Sequence, residues 1–420
     1  MLALGATSFL TDVASEMVAS ILPLYLTLGL GLPVGAVGVV DGLGQATTMA
    51  VRPLGGLAAD RTRRPKRVAT GGYALSAAAR TGLAAAAVTG MVGWWTIVTA
   101  LVTDRVGKGV RTAPRDALIS LSAAPARLAT AFGLHRALDT AGALAGPLLA
   151  IVLLGPDGRA FDAVLVTSAL VGIGGVAVIS LVVRDRGGLP APTAATGTGA
   201  TGTTAGATTA EATTTAATTT GPGTAPATIR RRLREPGVRR LLGAAAVLGL
   251  TAIPDSLLFL AVVTTTDLPL RWFPLLPVAS AATFVVLAVP LGRLADRLGR
   301  RTTLLGGHAA LAVVTAAVAL AATDGAPTVA LIAVALAVHG AHYAATDGVL
   351  AALASVTSPP QARSTVLSLT STASVGGRLT GAAVVGLLWH AVGLGTALWL
   401  ASGSSLVAVV IAARLLGLGR

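Results

Sequence analysis

The chain has 420 residues, of which 54% are hydrophobic and only 11% are charged, and its mean hydropathy is +0.79. A soluble domain carries about 25% charged residues, so this composition excludes an ordinary soluble enzyme and favours a membrane protein. The net charge of +14 would suit a nucleic-acid-binding protein, but the apolar background and the 3% aromatic content exclude that class, and the absence of cysteine excludes disulfides and thiol chemistry.

Twelve apolar segments follow one another along the chain, and each is long enough for a transmembrane helix, which needs about 20 residues. The first begins almost at Met1 without a basic region or a cleavage site before it, so we predict an uncleaved span rather than a signal peptide. The predicted spans cover residues 2–27, 34–59, 66–88, 93–118, 128–154, 161–183, 238–263, 273–297, 302–323, 327–355, 361–388 and 393–414. The sequence therefore predicts an all-α integral membrane protein with twelve transmembrane helices in two six-helix bundles, residues 1–184 and 238–420.

Residues 185–237 separate the two groups of spans and have a different composition. They are rich in Thr, Ala, Gly and Pro, for example over residues 201–220, and contain almost no large apolar residue. Such a segment cannot bury a core of its own. We therefore predict a disordered linker between the two bundles.

The basic residues indicate the orientation in the membrane. Of the 31 Lys and Arg residues, 23 fall in loops on one side of the predicted spans, including Arg111 and Arg115, and two, Arg159 and Arg271, fall on the other side. Basic loops face the cytoplasm, so we predict a multi-pass protein of the cell (inner) membrane with the linker and both termini in the cytoplasm. Four tryptophans at the outer ends of the spans agree with this orientation: Trp94, Trp95, Trp272 and Trp389.

An internal repeat relates the two halves of the chain. Residues 56–61 read GLAADR and residues 292–297 read GRLADR, which is an offset of 236 positions. Arg127 and Arg363, each before the fifth span of its half, share that offset. Two related six-helix halves are typical of secondary transporters.

Three sequence motifs resemble those of the major facilitator superfamily. The loop motif Gly-x-x-x-Asp-Arg-x-Gly-Arg-Arg of that family is matched at Gly292, Asp296, Arg297, Gly299, Arg300 and Arg301. The first copy departs from it, with Arg63 in the glycine position and Pro65 after Arg64. The fourth span resembles the motif Arg-x-x-Gln-Gly at residues 105–109, with a lysine in the glutamine position, and the fifth resembles the antiporter motif Gly-x-x-x-Gly-Pro at residues 142–147.

This resemblance covers the whole chain except the linker. It implies the twelve-helix fold of the superfamily, with two pseudo-symmetric bundles around a cavity lined by the first, fourth, seventh and tenth spans. The Gly-x-x-x-Gly-Pro sequence is similar to the motif of the drug/proton antiporter-like bacterial branch, but Ala150 and Ile151 replace the closing Gly-Gly of that motif.

The loop motifs also have a physical interpretation. An aspartate beside several arginines can hold helix ends together through charge-assisted hydrogen bonds, which would favour one conformation. The alternative is that the arginines only set the topology. The predicted gating residues of the loops are Asp60, Arg61, Arg64, Asp296, Arg297 and Arg300. Gly142, Gly146 and Pro147 are expected to thin and bend the fifth helix where the halves meet, although plain close packing explains the two glycines equally well.

Charged residues inside the spans are candidates for function, because placing a charge at the centre of a membrane helix costs roughly 2.5–3.5 kcal/mol. Asp12 and Glu16 are four residues apart and therefore lie on one face of the first helix. One of the two acids is expected to keep its proton, because both are buried and they repel each other. We predict a proton-coupling site here; the alternative is that each acid pairs with an arginine of another helix.

Two further charged groups are predicted to take part in proton coupling. On the fourth span, Arg105 is expected to tune a neighbouring acid such as Asp104 as the cavity changes sides. On the fifth span, His135 and Asp139 lie one turn apart, next to Arg136, and form either a titrating pair or a static hydrogen-bonded lock.

The tenth span carries a polar aromatic group that we assign to the substrate cavity. His339, His342 and Tyr343 lie midway along this span, and Asp347 lies nearer the cytoplasm. A His pair with this spacing could bind a metal ion, but no third ligand is evident, so we predict cavity lining and no metal site.

Three other charged residues complete the predicted cavity. Lys108 belongs to the fourth span, Asp255 follows Pro254 at a predicted kink in the seventh, and Arg378 lies at a comparable depth in the eleventh. Asp255 and Arg378 are expected to pair, or Arg378 receives an anionic substrate. Outside the cavity, Asp41 and Arg80 lie at the same depth and are predicted to form a structural ion pair.

The leading prediction is a secondary transporter that exports a small organic molecule, with a proton gradient as its energy source and no cofactor. The alternatives are uptake by proton symport, movement of a lipid, and a non-transporting membrane sensor. No Gly-x-Ser-x-Gly nucleophile signature is present, so we predict no enzyme activity. The expected partners are a small-molecule substrate and the lipid bilayer, with no nucleic acid, and the protein is expected to be a monomer.

Overall fold

The computed structural model describes residues 2–26, 30–31, 34–155, 160–183, 233–253, 255–264, 275–324 and 329–417. Most of the predicted linker, residues 184–232, lies outside these ranges. The first half forms α1 (Leu2–Leu24), α2 (Val34–Thr62), α3 (Pro65–Val88), α4 (Trp94–Ser122), α5 (Leu128–Leu154) and α6 (Phe161–Leu181). The second half forms α7 (Pro236–Thr251), α8 (Asp255–Thr264), α9 (Leu275–Leu298), α10 (Arg300–Asp324), α11 (Val329–Thr357), α12 (Arg363–Val392) and α13 (Leu394–Leu416).

These helices match the twelve predicted spans, and the described residues contain no β-strand. The seventh predicted span is divided into α7 and α8, and the break falls beside Pro254, which is itself outside the described residues. Among the described residues, six segments are long and apolar enough to cross a membrane by length and composition: Pro125–Leu154, Phe161–Leu181, Leu276–Leu298, Arg300–Ala322, Pro360–Val392 and Leu394–Leu416. The fold is therefore all-α, as predicted.

The repeated loop has a residue with a positive φ angle at the same position in both halves. Gly299 joins α9 to α10 with a φ angle of +109°, a conformation that glycine adopts without strain. Arg63, at the equivalent position before α3, also has a positive φ angle of +54°. The first copy thus keeps the left-handed turn although an arginine replaces the glycine.

Contacts between helices of the two bundles join the halves of the molecule. Helix α2 packs against α12, and α5 packs against α9 and α11. We call the end at which α1 begins and α13 ends the terminal face. The turns Pro125–Arg127 and Pro360–Ala362 lie at this face and lead into α5 and α12.

Candidate functional site

A carboxylate of the first half caps a helix of the second half at the terminal face. The two oxygens of Asp60 accept hydrogen bonds from the backbone N–H groups of Ser364 (3.0 Å) and Thr365 (2.7 Å), in the first turn of α12. The residue preceding this helix, Ala362, provides no side-chain cap. The first N–H groups of a helix have no partner within it and attract negative charge, so Asp60 satisfies them across the bundles. We call this contact the Asp60 cap.

The second copy of the motif makes the reciprocal contact. Asp296 on α9 accepts hydrogen bonds from the backbone N–H groups of Ala129 (3.1 Å) and Thr130 (2.8 Å) and from the Thr130 hydroxyl (2.8 Å). These residues form the first turn of α5, whose N-cap residue Arg127 also provides no side-chain cap. We call this contact the Asp296 cap. The two caps are equivalent under the sequence repeat, because in each the aspartate of one bundle caps a helix of the other.

The arginines of the loop motifs have different environments. Arg300 holds Asp296 through an ion pair of 2.9 Å and also donates to the Pro125 carbonyl across the interface. The side chains of Arg61, Arg64 and Arg297 are exposed, and no ion pair of theirs is found among the described residues. Of the four predicted gating arginines, only Arg300 therefore contacts the caps.

Two repeated glycines let the helices approach at the caps. A Cβ atom on Gly56 would lie 2.6 Å from the carbonyl oxygen of Ser364, and one on Gly292 would lie 2.7 Å from the carbonyl oxygen of Ala129. Real Cβ atoms essentially never come so close to a backbone oxygen. Any larger residue would therefore separate α2 from α12 or α5 from α9.

Gly142 and Gly146 lie elsewhere than predicted. A Cβ atom on Gly142 would meet the Phe9 carbonyl oxygen at 2.5 Å, and one on Gly146 would meet that of Val13 at 2.8 Å. Both glycines therefore face α1 of the same bundle, and the prediction that they lie where the halves meet was wrong. Close packing of small residues explains them, and Pro147 follows within a continuous α5.

The main charged site is a buried network on α4 that the sequence analysis placed in a loop. Helix α4 continues to Ser122, so Arg111, Arg115 and Asp116 lie inside the first bundle and are only 2–5% exposed. The network was missed because both arginines were counted among the basic residues of the cytoplasmic loops, although they lie within the predicted span 93–118. Their spacing of four residues, which places both arginines on one face of the helix, was the available signal.

Arginines 111 and 115 connect this network to α1 and α5. Arg111 lies 3.7 Å from Asp12, and Arg115 lies 3.0 Å from Asp116 and 3.4 Å from Asp139. The carboxyl groups of Asp12 and Asp139 are also within hydrogen-bonding reach of each other. Two carboxyl groups in such contact share a proton more easily than they carry two charges.

The network continues into the second bundle through Arg136. This residue lies 3.3 Å from Asp139, 3.5 Å from Asp116 and, across the interface, 3.2 Å from Asp347 on α11. At a similar distance from the terminal face, Arg52 on α2 donates a hydrogen bond of 2.6 Å to Ser371 on α12. These contacts lie about 12–15 Å from the helix ends, at 1.5 Å per residue.

Several predicted pairings differ in the structure. Asp12 pairs with Arg111 instead of acting with Glu16, and Glu16 is half-buried with no ion pair found among the described residues. His135 is buried 3.7 Å from Asp139, which is longer than a hydrogen bond, and its closest polar neighbour is the Ser8 hydroxyl at 3.4 Å. The arginines, rather than the imidazole, are therefore the principal partners of Asp139.

Arg80 has an ion pair with Asp104 in the structure, and its predicted pairing with Asp41 stays a prediction. Arg80 lies 3.5 Å from Asp104 and donates a hydrogen bond of 2.6 Å to Ser15, while the side chain of Asp41 lies outside the described residues.

Arg105 lies against Gly44 of α2. Asp104 and Arg105 both line a cavity of about 330 Å³ between α1, α3 and α4, and neither has a described ion pair with Asp12. Lys108 lies near enough to act electrostatically on Asp12.

A larger cavity of about 560 Å³ lies between the two bundles. Thr140 of α5 forms one wall, and α8, α9 and α11 form the others. Its lining includes four rings and one acid, namely Phe259, Phe284, His339, Tyr343 and Asp347. The predicted cavity residues His339 and Tyr343 therefore lie in this cavity, with Asp347.

Two other predicted cavity residues line an adjoining space of about 410 Å³ within the second bundle, whereas Lys108 of α4 does not. His342 and Arg378 line it, and Arg378 donates a hydrogen bond of 3.4 Å to the Tyr343 hydroxyl. His308 of α10, which the sequence analysis did not single out, contacts His342 with ring centroids 4.8 Å apart. The side chain of Asp255 lies outside the described residues, and the described part of the chain has no group of three or more His, Cys, Asp or Glu placed to hold a metal ion.

Comparison with known proteins gives the family. The sequence signature of the Major Facilitator Superfamily matches residues 4–382 and 273–420. An uncharacterized MFS-type transporter of Methanocaldococcus jannaschii, MJ1317, is 36% identical over 169 residues, which cover 40% of this chain and 41% of that protein.

Solved structures are similar over nearly the whole chain. A bacterial homologue of the iron transporter ferroportin, in an outward-facing state, has a TM-score of 0.72 at 16% identity, with 99% of this chain and 98% of that chain covered. The Escherichia coli fucose:proton symporter FucP has a TM-score of 0.72 at 13% identity, with the same coverage. At these identities the likeness concerns the fold alone. Together with the matched signature, it shows that the chain belongs to the major facilitator superfamily.

Proposed function

We propose that this membrane transporter couples the movement of a small organic molecule to protons by alternating access of its two bundles. The observation that carries the proposal is the charged network, which runs from Asp12 on α1 through α4 and α5 to Asp347 in the other bundle. Through this network, protonation of an acid in the first bundle can change the contact between the two bundles.

The direction of the effect follows from the partners of Arg136. When Asp139 is ionised, it competes with Asp347 for the Arg136 guanidinium. When Asp139 is protonated, that competition is lost and the Arg136–Asp347 contact across the bundles becomes stronger. Protonation therefore favours closure of the terminal face, and deprotonation favours its opening.

The proposed topology places the terminal face in the cytoplasm of a cell with an inner membrane. The excess of basic loop residues at this face supports the assignment. The protein is proposed to act as a monomer, without a cofactor. The leading direction is export, supported by the antiporter-like sequence at residues 142–147, and uptake by proton symport would use the same network. The direction of substrate flux under a fixed pH gradient distinguishes the two.

Spin labels across the terminal face would test proton coupling. The chain has no cysteine, so Arg67→Cys on α3 and Thr302→Cys on α10, both exposed, give a single label pair whose distance is measured by pulsed electron paramagnetic resonance in lipid nanodiscs. We expect the short-distance population to increase between pH 8 and pH 5.5. A coupling free energy of about 1–3 kcal/mol corresponds to a change of roughly 5–150-fold in the ratio of closed to open forms.

Two variants should each remove the pH dependence of the distance between the labels. Asp139→Asn imitates the protonated acid and should remain closed at both pH values, whereas Asp12→Asn removes the shared proton and should abolish the pH response. Asp162→Asn, which removes an exposed acid at the start of α6, is the matched control and should behave like the unmodified protein. A pH response in both Asp12→Asn and Asp139→Asn equal to that of the control would contradict the proposal.

A further inference from the structure

The acid at the floor of the inter-bundle cavity is unusually accessible. The Asp347 side chain is 40% exposed, whereas those of Asp12, Asp104, Asp116 and Asp139 are 7–15% exposed. Asp347 faces the cavity of about 560 Å³ between α5, α8, α9 and α11. A molecule in this cavity therefore reaches a carboxylate.

The present partner of this carboxylate is held weakly. Its contact with Arg136 joins Nε to one carboxylate oxygen at 3.2 Å, and Arg136 Nε has no partner in hydrogen-bonding geometry. A two-pronged arginine–carboxylate pair would be stronger and more directional. Arg136 also has Asp116 and Asp139 as alternative partners. An incoming cation can therefore replace it at Asp347 without leaving the guanidinium unpaired.

The walls of the cavity suit a cation with an apolar body. Phe259, Phe284 and Tyr343 line it together with His339, and among the described residues no lysine or arginine is part of its lining. Aromatic faces attract cations within about 6 Å of the ring centre. In a chain with only 3% aromatic residues, this concentration of rings around one acid is a distinctive feature.

We propose that the cavity binds an organic amine in its ammonium form, with the ammonium on Asp347 and the apolar or aromatic body among the rings. The inference rests on the proposed transport function for its biological role, but not for binding itself. Because the ammonium competes with Arg136 for Asp347, substrate binding weakens the contact between the bundles. The same residue would then recognise the substrate and hold the two halves together.

Binding of three small probes of similar shape would test the charge preference. Isothermal titration of the detergent-purified full chain would use 2-phenylethylamine as the cation, 3-phenylpropionate as the anion and 2-phenylethanol as the neutral analogue. We expect the amine to bind at least tenfold more tightly than either analogue. Preferred binding of the anion, with loss of affinity in Arg378→Gln, would overturn the proposal and assign the occupant to the adjoining space.

Two variants change the affinity in opposite directions if the competition is real. Asp347→Asn should weaken amine binding at least tenfold, and Arg136→Gln should strengthen it severalfold because the competing guanidinium is gone. Asp162→Asn is the control of equal charge change outside the cavity. Arg136→Gln provides the test even if Asp347→Asn fails to fold, since unchanged or weaker amine binding in it would refute the competition. Amine binding without amine-driven flux in vesicles would instead count against the proposed transport function alone.

Discussion

Replacing Gly292 with alanine is expected to hold the terminal face open and to slow transport by at least tenfold. The added Cβ atom would lie 2.7 Å from the carbonyl oxygen of Ala129 and 3.0 Å from the Cα atom of Thr130. Both are backbone atoms and cannot rotate away, so α5 and α9 must separate. Overpacking of this kind costs about 1–3 kcal/mol, and we expect it to destabilise the closed form, in which the two helices touch.

The label pair at positions 67 and 302 measures this effect, with transport followed in vesicles. Gly306→Ala on α10 is the matched control, because a Cβ atom at that position meets nothing within 4 Å. Gly56→Ala should act like Gly292→Ala, since its Cβ atom would meet the Ser364 carbonyl oxygen at 2.6 Å. Closed populations in both variants equal to that of Gly306→Ala would show that the packing of these glycines does not control closure.

Removal of the charge from both caps is expected to have a similarly large effect. In the double variant Asp60→Asn/Asp296→Asn, each amide keeps one acceptor oxygen but replaces the other with a donor. Ala129 and Thr130 both donate to Asp296, so one N–H group of α5 loses its acceptor. Ser364 and Thr365 both donate to Asp60, so one N–H group of α12 also loses its acceptor. Hydrogen bonds to charged groups contribute about 1.5–3 kcal/mol each, so the closed form should fall by at least tenfold relative to the open form.

The single variants distinguish cooperative from independent caps. If both caps open in one concerted step, each single variant should shift the distance distribution and the double variant should shift it further by about the sum of the two free energies. The exposed Asp162→Asn variant again serves as the control. An unchanged distance distribution in the double variant would show that the caps do not stabilise closure.

Much of the fold could be predicted because apolar segments of membrane length and a repeat of 236 residues are both readable from the sequence. The helix boundaries agree closely, and the structure shows that Gly299 of the loop motif has a positive φ angle. The error at the end of α4 has a physical cause. Arg111 and Arg115 were counted as loop charges that set the topology, yet inside a bundle they are paired with Asp12, Asp116 and Asp139.

The site could be predicted only in part, since its decisive contacts involve groups that carry no sequence signal. Asp60 and Asp296 were predicted to hold helix ends, but their partners are backbone N–H groups of another bundle, and any residue type would provide those. Asp347 was recognised as an intramembrane acid, but its position below the rings of Phe259 and Phe284 depends on how α8, α9 and α11 pack. Spacing along one helix cannot give that arrangement.

The left-handed turn before α3 determines which mutations the chain tolerates at this position. Arg63 has a φ angle of +54° where the second half has Gly299, so the path of the backbone was retained although the residue suited to it was not. Substitutions at this position should leave the register of the two helices intact. An insertion or deletion there would instead change the length of the turn that joins α2 to α3 and would disturb the nearby Asp60 cap.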